Sequence, residues 1–153
     1  MRSLVSSFEA PDTRTRPFSR IAKRWAALRA KRHWGRFDVR IDGRHPLLPV
    51  IGSMMNLRSR LTGIATGDQA IFCTRALFDQ LGGFAPIALM EDIDFSRRAA
   101  RLGAPACLTA RVVTSGRRWE RHGVLRTVLL MWRLRLRYFL GADPGVLARD
   151  YRP

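Results

Sequence analysis

The run Glu91-Asp92-Ile93-Asp94-Phe95-Ser96-Arg97-Arg98-Ala99-Ala100-Arg101-Leu102-Gly103 decides the fold class. Acid opens it, base closes it and glycine follows, the order favoured by the helix dipole and a glycine stop, so it predicts a helix ending at Gly103. Pro105 to Val113 then reads as an extended, largely buried strand. Helix and strand alternate in this way along the chain, which indicates an α/β domain.

Upstream, Phe37, Val39 and Ile41 alternate with Asp38, Arg40 and Asp42 up to Gly43, predicting a half-exposed strand and a turn. Leu47 to Leu61 follows Pro46 as a helix stopped at Gly63. Gln69 to Thr74 predicts a short apolar strand, after which Thr74 caps a short helix ending at Gly82-Gly83. Downstream, Val124 to Leu140 predicts a long amphipathic helix carrying Trp132, Tyr138 and Phe139 among leucines and arginines. Arg133, Arg135 and Arg137 do not share one face, because a step of two turns a helix by about 200°. An interfacial helix near anionic lipid and a core helix with snorkelling arginines both fit that composition.

The whole chain has 153 residues and a formal charge of +16, and every basic residue except Lys23 and Lys31 is arginine. With 46% apolar residues it can bury a core, which excludes a wholly disordered basic tail and suits one domain. Cys73 and Cys107 match no metal or redox spacing and read as buried thiols of a reducing compartment. No apolar stretch of about 7–15 residues follows Arg2, so no secretory signal is expected, and nothing reaches the apolar length of a membrane span. The charge makes nucleic acid the first partner to consider. The arginines are spread rather than patterned, without a zinc finger, basic-region heptad or aromatic RNA-binding string, so nucleic-acid binding is not expected as the main function.

Composition changes near residue 34. Residues 1–33 are basic, lack glycine and carry Phe18, Ile21, Trp25 and Leu28 at steps of three and four, the pattern of an amphipathic helix or of a tail that never packs. Residues 34–153 read as the compact module, so two segments are expected.

Glu91, Asp92 and Asp94 form the chemically loaded cluster. Acids in a first helical turn are ordinary stabilisers, and Asp92-Ile93-Asp94 also fits a loose Asp-x-Asp metal pattern too short to decide anything. The order of several landmarks says more: Trp34-Gly35-Arg36-Phe37-Asp38, Met54-Met55-Asn56-Leu57-Arg58-Ser59-Arg60, Gly67-Asp68-Gln69-Ala70, Leu81-Gly82-Gly83-Phe84, Glu91-Asp92 and Arg117-Arg118-Trp119. Together they resemble the C-terminal, acceptor-side half of a family 2 glycosyltransferase, a likeness covering about residues 34–153 and closest to a bacterial subgroup.

That resemblance implies the C-terminal part of a GT-A, Rossmann-like mixed sheet flanked by helices, from an enzyme that moves a sugar from a nucleotide sugar to an acceptor hydroxyl, usually with a divalent cation, Mn or Mg. It implies Asp92 as the catalytic base, with Glu91 as its orienting neighbour or a cap, and Asp94 as structural. Asp68 and Gln69 then fall on the acceptor side, although Asp68 also reads as a turn aspartate capping its own backbone. Arg118 falls where a guanidinium stabilises departing diphosphate, and Trp119 where an indole walls the acceptor. The glutamine of the processive motif is replaced by Thr114 and Ser115, which argues against processive polymer synthesis. The nucleotide-binding N-terminal half and its metal-binding Asp-x-Asp are missing from the pattern, so no metal ligand is assigned. A truncated or frame-disrupted enzyme, with residues 1–33 disordered or frame-altered, or a half needing a complementing N-terminal half, is expected, inactive alone and exposing sheet edges. Relatives with lipid acceptors imply a cytoplasmic protein peripheral on the inner membrane face. The alternative is a small basic protein binding nucleic acid or anionic membrane.

Overall fold

The computed structural model describes residues 32–151. The patterns noted at Phe18, Ile21, Trp25 and Leu28 lie outside them. Strand β1 (Trp34–Asp42) is central, with β2 (Phe72–Cys73) antiparallel on one side and β3 (Ala106–Ser115) parallel on the other. Helices α1 (Leu48–Thr62), α2 (Arg75–Gln80), α3 (Glu91–Leu102), α4 (Arg117–His122), α5 (Val124–Phe139) and α6 (Pro144–Tyr151) flank this small mixed sheet. The class is α/β, as expected, and among the described residues no helix is long and apolar enough to cross a membrane.

β1 begins earlier than its alternation suggests; Arg40 and Asp42 are exposed as the alternation predicts, but Asp38 is buried. Arg36 is fully buried and pairs with Asp38, which also accepts a 2.8 Å bond from Arg60 of α1. Burial by itself raises the Asp38 carboxyl, but the hydrogen bonds and charges of Arg60 and Arg36 outweigh it and hold the group below its ordinary range. Asn56 of α1 finishes the job of covering β1. Its amide accepts from the Val39 N–H at 2.9 Å and donates to the Val39 carbonyl at 3.0 Å, replacing the ladder partner that two-residue β2 does not reach. Gly35 lets β3 approach, since a Cβ there would overlap the Ala106 carbonyl oxygen and the Phe72 ring.

Three apolar clusters hold the layers. Trp34, Ala65, Leu77, Phe95 and Ala99 join β1 to α2 and α3; Met90, Ile93, Leu134 and Leu147 join α3 to α5 and α6; Ile41, Leu48 and Val124 join β1 to α1 and α5. Each fully buried large side chain contributes about 1.5–3 kcal/mol relative to exposure. Thr74 caps α2 by accepting from Leu77 N, and both glycines after that helix take positive φ, as the sequence predicted. Asp94 pairs with Arg98 at 2.7 Å, and the same guanidinium donates to the Leu81 and Gly83 carbonyls, a structural use of Asp94.

Several expectations are corrected. The segment 69–74 is a strand only at Phe72–Cys73, preceded by a 3-10 turn, Gly67–Gln69, because the Gln69 amide is pulled inward. β3 is buried mainly at its start, and Val113 is exposed. Cys73 and Cys107 are half-buried free thiols, and burial pushes the Cys73 thiol up to about 11. Arg117–His122, assigned to no element from the sequence, is a helix.

Candidate active site

Asp92 stands in the first turn of α3, two residues after Met90, which is buried and held at φ 71. Its two oxygens take backbone N–H groups: Oδ2 accepts from Gly67 at 2.7 Å and Oδ1 from Ile93 at 2.7 Å. The loop that brings Gly67 is pinned to the same helix by Ser96, which is fully buried, donates to the Ala65 carbonyl at 3.1 Å and accepts from Ala65 N at 3.2 Å. Helix α3 therefore fixes both Asp92 and the turn that carries Asp68. Ala70, at φ 46, closes that turn. The two described non-glycine residues with positive φ thus flank the two carboxylates, each two positions away; such strain, about 1–3 kcal/mol per residue, tends to collect at functional sites.

Burial pushes the Asp92 carboxyl up, and the N–H donors together with the charge of Arg58 oppose that push without cancelling it. Asp68 is also raised, first by burial of its carboxyl and then by the charge of Asp92, with the Thr114 hydroxyl, 3.4 Å away, and Arg118 pulling the other way. The two aspartates are thus electrostatic neighbours. Arg58, from α1, leaves Nε and Nη2 buried without a hydrogen-bond partner; burial pulls its pKa down and the charge of Asp92 restores part of it. Arg118, in α4, donates to the Tyr151 hydroxyl at 2.5 Å and its carbonyl at 3.1 Å, with the guanidinium 3.8 Å from the ring centroid. The Tyr151 hydroxyl is raised by burial; Arg118 opposes this, and the charges of Asp68, Asp92 and Glu91 add to it.

Four of the expected residues, Asp92, Glu91, Asp68 and Arg118, thus come together from three separate segments. Gln69 does not reach the surface. It is fully buried, its Oε1 accepts from Thr66 N at 3.2 Å, and its Nε2 donates to Ser59 at 3.0 Å and Asn56 at 3.3 Å, so it holds the Asp68 turn to α1 instead of touching an acceptor. Trp119 packs against the Ile41, Leu48 and Val124 cluster, so its indole serves the seating of α4. Sequence reasoning did not single out Arg58 or Tyr151. Arg58 stands within the Met54 to Arg60 landmark, which assigned it no role, and Tyr151 carries no local pattern.

Among the described residues no three His, Cys, Asp or Glu side chains come together as a metal cage. The donor set at Asp92 is a pair of carboxylates, fewer than a dedicated protein-held cation takes. An open depression of about 700 Å³ lies elsewhere, between the end of α1 and the start of β3. Its arginines are committed, Arg32 to the Pro105 carbonyl and Arg60 to Asp38.

A fixed, raised carboxylate beside a second acid and two guanidinia has the chemistry for taking a proton next to developing negative charge. The set sits at a helix N-terminus beside a small mixed sheet flanked by helices. The match to the family model described as glycosyl transferase family group 2 runs over residues 13–152, and the chain belongs to that family. Its role is therefore in glycosyl transfer, with a nucleotide-sugar donor and an acceptor in general terms. The match begins within the basic N-terminal stretch, upstream of the point where the motif likeness starts. No curated protein and no solved structure matches the chain.

Proposed function

We propose that this chain supplies the acceptor side of a sugar transfer, with Asp92 as general base. The acceptor hydroxyl gives its proton to Asp92 as its oxygen bonds to the anomeric carbon, and the bond from that carbon to the nucleoside diphosphate breaks with its electron pair leaving on phosphate. Asp68 orients the acceptor, Glu91 shapes the field at the helix start, and Arg118 and Arg58 offset charge on the leaving diphosphate. Donor-base contacts are assigned to chain outside residues 34–153 or to a complementing half. The observation that carries this reading is the Asp92 carboxyl, held by Gly67 N–H and Ile93 N–H while burial raises it. A raised but directed carboxylate is matched to proton abstraction near neutral pH.

The test is nucleoside diphosphate release from a panel of nucleotide sugars, using the full chain alone and reconstituted with a donor-binding half. Asp92→Asn should lower transfer by about 10²–10⁴-fold, the usual worth of a general base, while exposed Asp79→Asn leaves it unchanged. Transfer by Asp92→Asn within threefold of wild type would remove Asp92 from the mechanism.

A further inference from the structure

The outer face of α5 bears an exposed apolar stripe, with the Arg97 guanidinium over the Phe139 ring at its end. Leu125, Leu129, Trp132, Leu136 and Phe139 follow one another at steps of four, three, four and three, Leu140 extends the row, and all six are exposed, from 47% for Phe139 to 78% for Leu140. At about 100° per residue they occupy one side of the helix, Arg126, Arg133 and Arg137 line one margin and Arg135 the other. The sequence alone left this arrangement open; burial of Val124, Thr127 and Leu134 on the opposite face decides it. No acidic residue lies in α5. Arg133 and Arg137 share Asp150 of α6, and Arg126 and Arg135 form no ion pair among the described residues.

We propose that this face lies in the interface of an anionic lipid bilayer, with the stripe entering the headgroup boundary and the flanking arginines on lipid phosphates. Charge complementarity selects this occupant. A second copy of the chain would set these arginines near another set of the same sign, whereas an anionic bilayer neutralises them and accepts Trp132 and Phe139 at its boundary. The inner face of α5 packs with Met90 and Ile93 of the helix that bears Asp92, so docking would place the proposed base about one helix diameter, about 10 Å, from the membrane-facing side.

The full chain is sedimented with phosphatidylcholine vesicles with and without phosphatidylglycerol, at low and high salt. Wild type should pellet only with the anionic vesicles and be released by salt. The pair Leu129→Gln and Leu136→Gln should stay in the supernatant with an unchanged thermal transition, and Arg126→Gln with Arg135→Gln should weaken partitioning by about fivefold per arginine. Failure of wild type to pellet overturns the proposal, as does unchanged pelleting of the leucine variant. Loss of a wild-type dimer in that variant, with vesicle binding intact, would assign the stripe to a second copy instead. None of these readouts depends on transfer activity, so they stand or fall apart from the role of Asp92.

Discussion

Asp38→Asn removes one charge from the polar set beneath α1, and the structure says how much should follow. Arg36 is fully buried, and its hydrogen bonds go to Asp38 and, at 2.9 Å, to the Asn56 carbonyl; its Nε has none. Without the Asp38 charge a guanidinium remains in the interior facing neutral partners. Breaking a buried ion pair costs about 3–5 kcal/mol. Asparagine still offers one acceptor and Arg60 is partly solvated, so the lower end, about 3 kcal/mol, applies. Against a total of about 5–15 kcal/mol for a domain this is a large share, and at about 2–4 °C per kcal/mol it lowers Tm by about 6–12 °C. The sign of the pH dependence is also fixed. The folded-state carboxyl lies below its ordinary value of 3.8, so its contribution is complete above that value and is lost as pH falls through the folded one. Melts followed by far-ultraviolet circular dichroism at pH 7, 5 and 3 should show the gap between wild type and variant constant from pH 7 to 5 and narrower at pH 3. A gap under about 1 kcal/mol at pH 7, or one that keeps its size at pH 3, would refute the pairing argument.

Two further outcomes follow from the same geometry. Gly35→Ala should destabilise by about 1–3 kcal/mol, because the added methyl meets the Ala106 carbonyl and the Phe72 ring; a denaturant midpoint equal to wild type would show that the β1–β3 spacing can relax. The acid limb of the transfer rate should lie above 3.8, since Asp92 works ionised and its environment favours the protonated form; a rate flat down to pH 4 would contradict that assignment.

Local signals carried most of the helices into view. Proline near the start of α1 and Gly63 after it, Thr74 before α2, and the acid-to-base order of α3 are all recorded within a few residues of the ends they set. In β1 the alternation holds at exposed Arg40 and Asp42 and fails at Asp38, because Arg60 of α1 covers that carboxylate and alternation cannot announce a neighbour. Gln69 misled for the same reason, since its amide is claimed by Ser59 and Asn56. Asp92 and Asp68 were legible through family motifs, whereas Arg58 and Tyr151 join them only when α1 and α6 fold back. Helix α6 went unread, though its Leu147 is fully buried and its Tyr151 anchors Arg118.

The contrast between Asp38 and Asp92 separates a structural carboxylate from a candidate base more sharply than burial does. Both lose water, and in both cases burial is the largest single influence. Asp38 receives two guanidinium hydrogen bonds, and the balance falls toward the charged form. Asp92 receives backbone N–H groups and the field of Arg58 without a hydrogen bond from it, and the balance falls toward the protonated form. The arginines mirror this: Arg36 is tied to Asp38, while two buried nitrogens of Arg58 have no partner. A fold selected for stability alone would close Arg58 onto Asp92 as it closes Arg36 onto Asp38. Keeping that pair apart leaves hydrogen-bonding capacity on both groups, the acid for a hydroxyl proton and the guanidinium for negative charge, which is what the proposed transfer demands of them.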